Sequence, residues 1–274
     1  YSENEKVFLP YIDKKYKALV EFDILQVSLN KEKYSSGILT LEGVVQAKKL
    51  KVNHPKLSPN DIKIESCGLS YFFNINKNSI ELDSISEVYV NAIKINPYTR
   101  FTPKKSIDFK AKIETVEANT FFTSLPEGVF NTLKGIKARG YLTYNLDFSY
   151  NKQKPDDLKF VSNLKGNNFK IEKFGNEYFP KINDSFNYTA FERGVPVKTF
   201  VVGPENIDFV SLHQISPYLR NAVLTSEDGS FFYHRGFNEE AFRKSIIDNI
   251  RKGKFARGGS TISMQLVKNV YLNR

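Results

Sequence analysis

A chain of 274 residues, 41% hydrophobic and 26% charged, can bury an ordinary globular core; it is long for one domain and short for three, so two are expected. Forty Lys and Arg against 30 Asp and Glu leave a formal charge of +10, which favours anionic partners such as phosphate groups, nucleic acid or acidic lipid without choosing among them. A single cysteine, Cys67, excludes an internal disulfide and a cysteine metal cluster, and no apolar run reaches the roughly 18 residues that a bilayer span needs.

No signal-peptide pattern opens the chain, and its first residue is Tyr1 rather than Met, so a processed or trimmed form is expected, with any anchor upstream. LPYIDKKYKAL near the start predicts a helix, and from Glu21 to about Ile171 the dominant period is two. The clearest case is Leu142, Tyr144, Leu146, Phe148 and Tyr150, with polar residues between them: a strand with one dry and one wet face. Shorter versions are Ile62 with Ile64, Phe73 with Ile75, Ile80 with Leu82, Val88 with Val90, Ile93 with Ile95, and Ile107 with Phe109. Turns such as NKNS and NPYTRFTPKK separate them, which predicts an antiparallel meander broken by a second helix near 124 to 135. Cys67 reads as a small core residue and His54, beside Pro55, as a solvated loop histidine.

The rhythm of Gly43 to Leu50, HPKLSPNDIKI and GYLTYNLDFSYNKQKPDDLKF resembles the repetitive strand domains of AsmA-like envelope proteins. That resemblance implies a curved sheet with an apolar groove and lipid handling. Residues 171–205, rich in Gly, Asn and Pro and ending in the short strand VKTFVV, read as the joint between domains.

Beyond the joint the pattern turns helical. Ser216 as N-cap and Pro217 at the first position open a helix with Leu219, Ala222 and Val223 on one face, which delivers Glu227 and Asp228 at its end. Gly229 and Ser230 turn the chain into Phe231 and Phe232, then His234, Arg235 and Gly236. A carboxylate beside apolar rings loses hydration, which suits proton transfer near neutrality. Asn238 caps a second helix with Phe242, Ile246 and Ile250 inward, and Gly253 ends it. After the cationic stretch RKGKFARGG, a third helix starts near Ser260 with Ile262, Leu266 and Val270 inward. Its amides, the Ser260 and Thr261 hydroxyls, Arg257 and Lys268 would seat a phosphate. Each part has a plainer reading as well: a solvated helix end, a glycine turn, a wet cationic face, a loop-capping histidine. Together they suggest a site joining a carboxylate to a phosphate-bearing substrate.

EDGSFFYHRGF and GGSTISMQLVKN resemble the motifs of the family 51 glycosyltransferases, the peptidoglycan glycan polymerases of penicillin-binding proteins and their monofunctional relatives. Glu227, Asp228, Phe231, His234 and Gly236 fill every fixed place of EDxxFxxHxG. Gly258, Gly259, Ser260, Thr261, Ile262, Gln265, Lys268 and Asn269 match GGSTIxQQ with its following KN, while Met264 replaces the first glutamine and puts that substrate contact in doubt. The family implies a helical, lysozyme-like domain on the periplasmic face of the bacterial inner membrane, anchored by a segment not in this chain. It implies lipid II and the nascent glycan strand as substrates, the membrane surface and other cell-wall synthesis proteins as partners, and no nucleic acid.

By this resemblance Glu227 is the general base and Asp228 its catalytic companion, supporting the acceptor side or tuning it. Phe231, His234, Gly259, Ser260, Thr261, Gln265, Lys268 and Asn269 line the substrate cleft, with Phe231 and His234 shaping it. No cofactor is certain; some members hold a divalent cation on the substrate diphosphate, and no metal-ligand spacing is visible here. The family's third motif, with a second glutamate, is expected just beyond Arg274, so little or no polymerase activity is expected of these 274 residues alone.

The expected fold is thus α+β and multidomain: a strand-rich AsmA-like domain over 1–170, a linker with short strands over 171–205, and the start of a glycosyltransferase domain over 206–274. Two alternatives stand beside the inverting polymerase. One is a non-catalytic envelope lipid-binding or scaffold protein with a degenerate transferase segment; the other is a lytic hydrolase using Glu227 as general acid, against which GGSTISMQLVKN argues.

Overall fold

The structure, a computed structural model, describes residues 7–8, 18–54, 57–175, 179–192 and 195–271, with the side chains of 7–8 and 179–180 excepted. The chain divides into two compact units, Tyr1–Gly175 and Asn176–Arg274. Half of it is strand and 22% helix, the α+β class that the two periodicities predict.

The first unit is built on one antiparallel sheet of eleven strands. In chain order these are β1 (Val7–Phe8), β2 (Leu19–Phe22), β3 (Ile24–Ser35), β4 (Ile38–Asn53), β5 (Ile62–Asn76), β6 (Ile80–Leu82), β7 (Glu87–Val90), β8 (Ile93–Thr102), β9 (Ser106–Glu117), β10 (Lys137–Asn151) and β11 (Lys159–Lys173). Their order in the sheet is β1, β2, β4, β5, β6, β8, β9, β10, β11, with β3 also on β4 and β7 bridging β5 and β8. Every predicted strand pair of isoleucines, valines or phenylalanines falls within one of these strands.

Register puts the apolar positions on one face. Val27 lies opposite Val45, Val45 opposite Leu69, and Leu69 opposite Val88. Ile95 continues the row from Val88, and further along Phe101 meets Ile107, Ile107 meets Tyr150, and Leu164 meets Tyr144. Opposed residues of an antiparallel ladder share a face, so an apolar surface runs unbroken from β3 to β11, while Gln46, Ser66, Lys112 and Asn145 occupy the other. Beyond Lys49, held at φ 50°, the preference reverses: Leu50 opposes Ile64, Val52 opposes Ile62 and Val20, and all belong to the second face.

Few of these side chains are sealed. Ile93, Ala118, Ile136, Ala138, Leu142 and Leu158 are buried, but on β3 Val27 remains 65% and Tyr34 74% exposed. Cys67 is half-buried on the apolar face, and that burial pushes its thiol above its usual range. Tyr71 braces the exposed edge: its ring lies over Gly43, where a Cβ would meet the Tyr71 hydroxyl oxygen at 2.3 Å, and that hydroxyl donates to the Ser28 carbonyl of β3 at 3.0 Å. An aromatic laid over a strand glycine restores the packing that the glycine lacks.

Three expectations change. NPYTRFTPKK is strand as far as Thr102, and only its end turns. Pro97 is tolerated inside β8 because the facing ladder breaks there: β7 pairs with residues 93–95, β6 with 99–101, and the missing N–H falls in the gap. The helix expected near 124–135 does not form; a different and shorter one, α1 (Ala118–Thr123), ends just before that stretch and packs on β9 and β10. Pro126 cannot donate to a continuing helix, and Gly128 takes φ 89° with no room for a Cβ beside the Asp61 carbonyl, so only a 3-10 turn, Asn131–Leu133, follows. The helix expected from LPYIDKKYKAL lies almost wholly outside the described residues; its last residue, Leu19, opens β2.

In the second unit Phe186–Glu192 (β12) pairs with Val195–Val202 (β13) as a hairpin. Three helices follow: α2 (Pro217–Asp228), α3 (Glu239–Lys252) and α4 (Ile262–Val270). Among the described residues no helix is long and apolar enough to cross a membrane.

Candidate active site

The helix boundaries follow from their caps. Asn238 accepts the Ala241 N–H at the start of α3, and Gly253 ends that helix with φ 61°, as the sequence predicts. Two details differ. Ser216 makes no side-chain cap on α2, and the cap of α4 is Thr261 rather than Ser260, its hydroxyl accepting the Met264 N–H at 3.1 Å. The predicted inward stripes are also shallower: Leu219, Val223, Ile250 and Leu266 are exposed, while Ile247 carries the burial on α3.

α2 ends on Glu227 and Asp228, and the two carboxylates take opposite environments. Asp228 is 7% exposed, and both of its oxygens lie 2.9–3.0 Å from His234 Nε2. Its Oδ2 also accepts the Ile262 N–H, the first amide of α4, at 3.1 Å. His234 Nδ1 accepts the Gly236 N–H at 3.0 Å, so that nitrogen carries no hydrogen; the network therefore assigns the imidazole proton to Nε2, donated to Asp228. Thr261, 2% exposed, donates to the Gly236 carbonyl at 2.6 Å. Asp228, His234, Gly236 and Thr261 thus form a buried clip between the end of α2 and the start of α4, spanning both sequence motifs.

Glu227 points the other way and is exposed. Its Oε2 accepts from Gln265 Nε2 at 3.0 Å, again joining the first motif to the second. The aromatic pair does not desolvate it: Phe231 packs edge-on to Phe232 and to His234, and Phe232 is itself 78% exposed. The Phe231 ring therefore supports the histidine of the clip.

The other predicted site residues divide between packing and open surface. Gly259 is a close-approach glycine, where a Cβ would meet the Phe242 Cα at 2.9 Å. Ser260, Lys268 and Asn269 are exposed. Lys268 and Asn269 follow Gln265 by three and four residues, so they share its side of α4. Arg257, expected in the phosphate seat, faces Asp248 at 3.4 Å. Sequence reading missed what holds the cationic loop: Asn249 accepts the Ala256 and Arg257 N–H groups and donates to the Arg257 carbonyl, which Ser245 also contacts at 2.6 Å. The signal was present as a polar i, i+4 pair on an otherwise amphipathic helix. Among the described residues no group of three or more His, Cys, Asp or Glu could hold a metal ion.

At the start of α3, Glu240 receives two hydrogen bonds from Arg243 at 2.9 Å and faces Lys244, and these cations hold its carboxyl down at about 2, from the ordinary 4.5. A depressed carboxyl contributes stability that is complete above its unfolded-state value and is lost as pH falls through its folded-state value. Helical circular dichroism is therefore expected to lose a small component between pH 4.5 and about 2 that Glu240→Gln removes. Solvent screening keeps that contribution near ~0.5 kcal/mol.

Residues 193–274, the segment that carries the clip and the exposed glutamate, match the family model described as Transglycosylase. Three curated relatives, each named biosynthetic peptidoglycan transglycosylase, align with 24% of this chain. That of Nitrosospira multiformis is 43% identical over 65 residues, covering 28% of its length. Those of Alcanivorax borkumensis and Aromatoleum aromaticum are 48% and 44% identical over 66 residues, covering 27% and 29% of theirs. The chain thus spans under a third of the curated relatives it matches. No solved structure matches it.

Proposed function

We propose that the second unit carries the acceptor-side machinery of a peptidoglycan glycosyltransferase that extends glycan strands from lipid II, with Glu227 as general base. The observation that carries this reading is the pairing of opposites at the end of α2: Asp228 is sealed into the clip, while its neighbour Glu227 stays open to solvent with one oxygen held by Gln265. An enzyme that must move a proton at a substrate oxygen needs one carboxylate reachable and its scaffold fixed. Glu227 takes the proton of the acceptor sugar's 4-hydroxyl, and the freed oxygen pair forms the bond to the donor's anomeric carbon. The bond from that carbon to the diphosphate breaks on the opposite side, its electron pair leaving with the diphosphate, so configuration inverts. Asp228 acts here as a positioning residue. Exposed Ser260 and Lys268 are the groups available to the anionic diphosphate. The reading sets the unit at the periplasmic face of the inner membrane, where lipid II is presented.

A gel assay of the full-length gene product supplied with fluorescent lipid II tests this. A ladder of glycan chains is expected; unextended lipid II in the presence of folded full-length protein would overturn the reading.

A second reading concerns the first unit. Its one-sided apolar face, largely unsealed from β3 to β11, supports AsmA-like lipid handling. Phospholipid extracted from protein purified without detergent, and reduced by Leu69→Glu on that face, would bear it out.

A further inference from the structure

The contact between Glu227 and Gln265 belongs to a geometry that the clip imposes. Asp228 Oδ2 holds the Ile262 N–H, and Thr261 caps the same helix start while binding the Gly236 carbonyl. One turn along α4 from that anchor, Gln265 meets the residue that precedes Asp228. Two neighbouring carboxylates at the end of α2 thus reach two points one turn apart on α4: the buried one sets the register, and the exposed one receives the amide. Gln265 needs no change of backbone to make its bond. Glu227 Oε1 takes no hydrogen bond among the described residues, so the amide fixes one oxygen and leaves the other available.

We infer that Gln265 is a positioning residue for Glu227, donating from Nε2 to Oε2 and so aiming Oε1 at the acceptor hydroxyl, rather than a group that binds sugar or diphosphate. The inference rests on the reading of Glu227 as base. A carboxylate rotating about its terminal torsion spends much of its time misdirected, and small misplacements of reacting groups cost about tenfold to 10²-fold in rate.

Kinetics of lipid II polymerisation by the full-length protein separate these roles. Gln265→Leu keeps the side chain's bulk and removes the donor. It is expected to lower kcat about tenfold to a hundredfold with KM within about twofold of the parent, and with an unaltered melting curve because the clip is untouched. In a Glu227→Gln background the same change is expected to alter the residual rate by less than about twofold, since a residue acting only through Glu227 has nothing left to position. A raised KM with unchanged kcat would show that Gln265 binds substrate and would overturn the inference, as would full additivity in the double variant. High activity of Glu227→Gln alone would instead remove the base reading, and this inference with it.

Discussion

Glu227→Gln in the full-length protein is expected to slow lipid II polymerisation by about 10²–10⁴-fold, the usual contribution of a positioned general base. The substitution is close to isosteric, and the new amide can turn its carbonyl oxygen toward Gln265 Nε2, so the contact across the two motifs survives. What disappears is the capacity to accept the proton. Because Glu227 is exposed and stands outside the clip, unfolding should shift by no more than about 0.5 kcal/mol. Rate and stability are therefore expected to separate cleanly. Full polymerisation by the variant would assign the proton transfer to another group.

Asp228→Ala should behave in the opposite way. It removes the acceptor for the His234 Nε2–H and for the Ile262 N–H in a site from which water is largely excluded. Each stranded donor costs about 1–3 kcal/mol, so a loss of about 2–6 kcal/mol is expected for the two, read as a melting temperature lower by roughly 10 °C or more for a unit of this size. Asp228→Asn should recover only part of it: one amide oxygen can still accept, but the NH₂ group faces either the imidazole N–H or the helix amide, donor against donor. Polymerisation by either variant is expected to fall in step with loss of the α4 register. An Asp228→Ala protein that melts like the parent would show that the clip does not hold the two motifs together.

Much of this was legible in the residues. Alternation over Leu142–Tyr150 and its shorter echoes fixed the strands, because a half-buried strand must repeat every two residues whatever it pairs with. Asn238 and Gly253 marked the ends of α3 because caps are local chemistry. Pro97 misled, since its acceptability depends on the short strands β6 and β7 leaving a gap opposite it, a non-local fact. The same limit applied at the site. Spacing showed that Glu227 and Asp228 adjoin, but only the approach of α4 distinguishes them, through the Ile262 amide on one and the Gln265 amide on the other. The likeness to known motifs singled out these residues and could not say which of them touch each other.

The two lateral borders of the large sheet are not equivalent. Strand β11, which among the described residues pairs with β10 alone, carries Lys159, Lys165, Lys170 and Lys173, charges that repel any strand seeking to add there. Strand β3 has Lys31 and Lys33 near one end, while Val27 and Leu29 lie open at the other. Part of the chain's positive balance thus serves as a guard against self-association at one border. Fibril-like stacking, if provoked by high salt that screens those lysines, would have two available starting points in place of one.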